Sequence, residues 1–99
     1  MNAESPVNIT PRKTRPVTAI SHFGTCNHAH APILAVLEGV DSEDALVCAV
    51  AALKAAYETN AMALEKAAEP MRSLLAATEN SLEKGLALTE AVLQGFEAD

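Results

Sequence analysis

All three histidines and one of the two cysteines of this 99-residue chain fall within nine residues, His22-Phe23-Gly24-Thr25-Cys26-Asn27-His28-Ala29-His30. A thiolate and neutral imidazoles are ligands that zinc prefers. In an extended chain Cys26, His28 and His30 point to one side, and His22 could close a tetrahedron across Gly24. Zinc is therefore the cofactor of an alternative reading in which the segment binds a transition metal. The spacing lacks the paired Cys-x-x-Cys of structural zinc sites, and histidines in a polar loop are commonly solvated, so the leading expectation is no cofactor. A nucleophilic Cys26 would need a positioned base and an oxyanion site, which a linker does not supply.

Elsewhere the chain offers little chemistry. Cys48, in Val47-Cys48-Ala49-Val50, reads as a buried, inert thiol on a helix. There is no Gly-rich phosphate loop and no Ser/His/Asp set, so the expectation is a protein that is not an enzyme. With 7 Lys+Arg against 13 Asp+Glu, the formal charge of -6 disfavours phosphate backbones, so nucleic acid is not an expected partner. The longest apolar run, Ala45 to Leu53, is about half of what a bilayer span needs, so neither is a membrane. Two cysteines without the density of a disulfide framework, and no apolar stretch of signal-peptide length after Arg15, point to reduced thiols and a cytoplasmic location.

The elements that must position these residues follow from composition and period. Hydrophobic residues make up 49% and aromatics only 3%, with Trp absent, so burial must come from Ala, Leu and Val, a helical composition. Residues 1–40 carry three bases against two acids and residues 41–99 four against eleven, which places the acidity in the second region. Pro6, Pro11 and Pro16 disfavour helix near the start. Residues 1–31 are read as a flexible arm that includes the His/Cys segment. Its cations Arg12, Lys13 and Arg15 are solvated in the simplest reading or, alternatively, docked on an acidic surface, the protein's own helices included. Residues 32–40, with Pro32 in front and Gly39 behind, suit a short apolar strand or a short helix equally well.

A helix starts at Val40-Asp41-Ser42-Glu43-Asp44. Asp41 can accept from first-turn amides, and early acids suit the positive helix end. Beyond it an apolar stripe recurs at about 3.6 residues per step through Leu46, Val50, Leu53, Tyr57, Asn60, Leu64, Ala67, Met71, Leu75, Thr78, Leu82, Leu86, Thr89, Leu93 and Phe96. Asn60 and Thr78 are polar members that would set register or oligomeric state. A second row, Ala45, Ala49, Ala52, Ala56, Ala63 and Ala67, would let another helix approach closely, while Glu58, Glu65, Glu69, Arg72, Glu79, Glu83, Glu90 and Glu97 face solvent. Pro70 inside one helix would cost about 3 kcal/mol, so the chain is read as an antiparallel hairpin of 41–68 and 70–96, with one kinked helix as the alternative.

At the junction, Leu34-x-Val36-x-x-Gly39-Val40-Asp41-x-Glu43-Asp44-Ala45-Leu46 resembles the core pattern of short uncharacterised proteins common in pseudomonads, grouped as domains of unknown function. The resemblance extends over roughly residues 33–95. It implies an apolar strand, a Gly turn and an acid-capped helix, and it implies no activity, cofactor or catalytic residue.

The reading as a whole is a mainly all-α chain, 41–99 forming a long helical hairpin. Leu46, Val50, Leu53, Tyr57, Leu64, Met71, Leu75, Leu82, Leu86, Leu93 and Phe96 are the expected seam and interface. The expected partner is a second copy, giving a coiled-coil-like four-helix bundle, or another protein, because a lone pair of helices leaves part of the Leu and Ala rows wet. The function expected is that of a protein interaction module.

Overall fold

A computed structural model describes residues 15–98. They fall into two units, one ending at Ala45 and one beginning at Leu46.

In the first unit two strands, β1 (Ser21–Phe23) and β2 (Leu34–Val36), pair antiparallel with Phe23 opposite Leu34, His22 opposite Ala35 and Ser21 opposite Val36. The pairing continues toward Arg15. Val17 bridges Asp41, the amide of Thr18 donates to the Val40 carbonyl at 2.9 Å, and the amide of Gly39 donates to the Thr18 carbonyl at 2.9 Å. Gly39 and Val40 thus both face Thr18. This two-against-one arrangement is a β-bulge whose first residue is a left-handed glycine, here at φ 83°. The Thr18 hydroxyl closes the turn by donating to the Leu37 carbonyl at 2.7 Å and accepting from the Val40 amide at 3.1 Å.

These bonds settle two readings of the sequence. The apolar run before Gly39 is a strand, because Ser21–Phe23 offers its backbone groups a ladder while the run is too short to sustain an isolated helix. Residues 15–31, read above as part of a flexible arm, include the first strand, and Arg15 is tied to the start of the first helix. The residues of that arm from 1 to 14, Arg12 and Lys13 among them, lie outside the described residues.

Two helices follow, α1 (Ser42–Lys66) and α2 (Met71–Ala98), so the chain is a hairpin and not one kinked helix. The break spans residues 67–70, where Pro70 cannot continue α1 but costs little just ahead of α2. Glu69 caps the second helix, its carboxylate accepting from the Ser73 amide at 3.1 Å and the Ser73 hydroxyl at 2.7 Å. The helices pack on the stripe foreseen above. Leu46, Val50, Leu53, Tyr57 and Leu64 of α1 and Leu75, Leu82, Leu86, Leu93 and Phe96 of α2 are all half-buried, as the 3.6 period requires. Four residues differ. Met71, on the first residue of α2 beside the turn, is 53% exposed and Thr78 is exposed, while Glu79 and Glu90, expected in solvent, are half-buried at the margin of the stripe. No described side chain is fully buried, and Asn60, at 8% exposure, is the most enclosed polar residue.

Candidate functional site

The His/Cys segment occupies the connection between β1 and β2. His22 sits on β1, on the opposite face from Phe23, because side chains alternate along a strand. Beyond Gly24 the backbone leaves the extended region. Cys26, Asn27 and His28 have φ of 51°, 60° and 69°, three consecutive left-handed residues. The turn closes on Thr25, whose carbonyl accepts from the Ala29 amide at 2.9 Å and the His30 amide at 3.2 Å and whose hydroxyl accepts from the His28 amide at 3.1 Å.

The extended geometry that would align Cys26, His28 and His30 on one side is therefore replaced by a coiled turn. Cys26, His28, His30 and His22 are all exposed, and among the described residues no group of three or more His, Cys, Asp or Glu stands close enough to hold a metal ion. One feature favours ligation by a single residue. The Nδ1 of His30 lies 2.7 Å from the Ala31 carbonyl, so in the neutral tautomer Nδ1 donates and Nε2 keeps its lone pair outward.

Arg15 holds the start of α1. Its Nε meets Asp41 Oδ1 at 2.7 Å, and its Nη2 meets Asp41 Oδ2 at 2.9 Å and Glu43 Oε1 at 2.9 Å, a bidentate clamp with a third bond. Of the two readings of the basic cluster, this residue follows the docked one. The guanidinium donating to it holds the Asp41 carboxyl below its usual range, helped by the amides of Asp44 and Glu43, and the two carboxylates raise the Arg15 pKa further. The cluster is a structural clasp with no group poised for proton transfer.

Cys48 departs from expectation. It is exposed, because two residues past the seam residue Leu46 the position has turned about 200° around α1, away from the seam. On one flank the hairpin opens a groove of about 610 Å³ between the helices, lined by Ala55, Ala56, Thr59, Asn60 and Ala63 of α1 and by Leu75, Thr78 and Leu82 of α2. Its floor is Asn60, whose Nδ2 donates to the Leu75 carbonyl at 3.0 Å. The alanine row read from the sequence is thus divided: Ala45, Ala49 and Ala67 are half-buried, while Ala52, Ala56 and Ala63 remain exposed. A groove of small side chains without a titratable group can seat apolar surface and cannot perform acid, base or nucleophilic chemistry.

Among the described residues no helix is long and apolar enough to cross a membrane. No family model, no curated protein and no solved structure matches the chain, so the functional reading rests on its own residues.

Proposed function

We propose that this protein is a non-enzymatic interaction module whose helical hairpin assembles with another helical surface, in the first place a second copy of itself, into a four-helix bundle. The observation that carries the reading is the lack of enclosure. Two helices of 25 and 28 residues bury one residue, Asn60, and none of their leucines. An amphipathic helix pair gains most of its stability by burying its apolar face, and a two-helix unit has no second layer to bury it against. Exposed apolar side chains standing together on such a pair are what association would cover.

The test is the mass of the full chain in solution by light scattering from micromolar to 0.1 mM concentration. A species of twice 10.4 kDa supports the reading. A compact monomer throughout would overturn it.

A further inference from the structure

We infer that the hairpin has one assembly face, the groove side, and that a second copy closes it by laying α1 of each protomer on α2 of the other. The inference rests on the homodimer proposed above and adds which surface is used and in which arrangement.

The groove fixes which side of each helix opens the same way, since Ala55 and Thr59 of α1 and Thr78 of α2 line it together. Steps of three and four residues from these positions stay on that side. On α1 they run through Cys48, Ala52, Ala55, Thr59 and Met62, and on α2 through Met71, Leu74, Thr78, Ser81, Gly85, Leu88 and Val92. The α1 row is uncharged between Asp44 and Lys66, which lie four residues beyond its two ends, and the one charge beside the α2 row is Lys84, four residues before Leu88. The hairpin exposes six large apolar side chains, and five of them lie on these two rows: Met62 at 66%, Met71 at 53%, Leu74 at 60%, Leu88 at 69% and Val92 at 53%. The sixth, Val47, is on the other side of α1. The charges Lys54, Glu58, Glu79, Glu83 and Glu90 fall on the opposite flank at the same periodicity.

Three features select a second copy as the occupant. Between its ends the face carries no carboxylate on a chain of net -6, so two copies can close on it without bringing carboxylates together. The relief is self-complementary. Ala52, Ala55 and Thr59 of α1 stand level with the small residues Thr78, Ser81 and Gly85 of α2, and Met62 and Cys48 stand level with Leu74 and Leu88. A two-fold axis parallel to the helices sets small side chains on small ones in the middle of the face, where the helices can approach closely, and Met62 on Leu74 and Cys48 on Leu88 toward its ends. The extent also fits. Two helices about 40 Å long and about 10 Å apart offer a face of roughly 800 Å², what one partner contributes to a standard stable interface.

The arrangement predicts a contact. Asn60 stands level with Leu75, so in an antiparallel hairpin Cys48 is level with residue 87 or 88 of the same copy, on the far helix. The two-fold axis places Cys48 of one copy directly against Leu88 of the other. In a Cys26→Ser background, Leu88→Cys should give a covalent dimer with the native Cys48 under mild oxidation, seen on a non-reducing gel. Separately, Leu88→Asp with Val92→Asp should raise the dimer dissociation constant by roughly a hundredfold or more with helix content unchanged, since both residues are exposed within one hairpin. Glu83→Lys on the other flank should leave the dimer intact. If the unmutated chain is dimeric but the double aspartate variant stays dimeric and the cysteine pair gives no covalent dimer, this face is not the interface, while the homodimer itself stands. If the unmutated chain is monomeric, both proposals fall. Should the aspartates unfold the hairpin, the cysteine pair decides alone.

Discussion

The side-chain amide of Asn60 donates to the main-chain carbonyl of Leu75, joining the last two turns of α1 to the first turns of α2 at 3.0 Å. The carbonyl belongs to a helix, where it also serves the backbone ladder, so Asn60 adds a second donor to an oxygen with two lone pairs. The bond fixes how far one helix may slide along the other, a choice that leucines alone leave loose. Replacing Asn60 by Ala should cost about 1 kcal/mol, because Leu75 keeps its helical partner. Asn60→Asp should cost several kcal/mol, since a carboxylate at 8% exposure would face a carbonyl oxygen with no donor. Chemical denaturation of both variants checks the order, and equal losses would contradict it.

A charge in the seam should be worse tolerated than one on the groove flank. Leu53 and Leu86 are half-buried between the helices, so Leu53→Asp or Leu86→Asp should lower stability by several kcal/mol and reduce helical circular dichroism. Helix content equal to that of the unmutated chain would contradict the packing described.

The clasp at the start of α1 should depend on pH in one direction. The Asp41 carboxyl is held below its ordinary value of 3.8, so the folded state favours its ionised form. That contribution is complete above the unfolded pKa and is lost as pH falls through the lower folded one, on the acid side of about 4. Protection of the Ser42 amide, which donates to the Pro16 carbonyl at 3.1 Å, should therefore fall in that acid range relative to the intrinsic exchange rate at the same pH, and Arg15→Ala should remove the contribution of the clasp.

Gly39 is required by its conformation alone. No atom lies within 4 Å of where a Cβ would sit, yet φ is 83°, so Gly39→Ala should cost about 1 kcal/mol through the left-handed backbone. Amide exchange at Val40, bonded to the Thr18 hydroxyl, reports the loosened bulge, and unchanged protection would contradict it.

Both thiols are exposed within one copy, so the folded chain, at concentrations where it is monomeric, should react with two equivalents of a thiol reagent at rates close to those of the unfolded chain, and association should slow Cys48 alone. A slow second equivalent assigned to Cys48 in the monomeric state would contradict its placement. If His22, Cys26, His28 and His30 gather around zinc, its affinity must fall with pH through the imidazole range near 6.5 and weaken sharply in Cys26→Ser but not in Cys48→Ser. Titration of metal-free, untagged protein checks this.

The helices were legible in the sequence because every local signal agrees: Asp41 at the start, Ala and Leu throughout, a 3.6 period from Leu46 to Phe96, and Pro70 where no helix can continue. Short-range physics is sufficient there, since each residue's preference depends on neighbours three or four positions away. The same argument found the seam but could not say which flank stays open. Cys48 looked buried because its sequence neighbours are apolar, whereas exposure depends on its angle around α1 relative to a helix that begins 23 residues later. The strand Leu34–Val36 and the fate of the His/Cys segment were open for a related reason. A three-residue strand has no period to read, and its identity is conferred by Ser21–Phe23 across the sheet. Likewise, the left-handed turn at Cys26–His28 is set by bonds to Thr25, so residue type and spacing suggested an aligned ligand set that the folded backbone does not present. Sequence alone determined the helices and the break between them. The exposed face, the clasp of Arg15 on Asp41 and the geometry around Cys26 were decided only by tertiary structure, because each depends on contacts between segments whose separation along the chain carries no local signal.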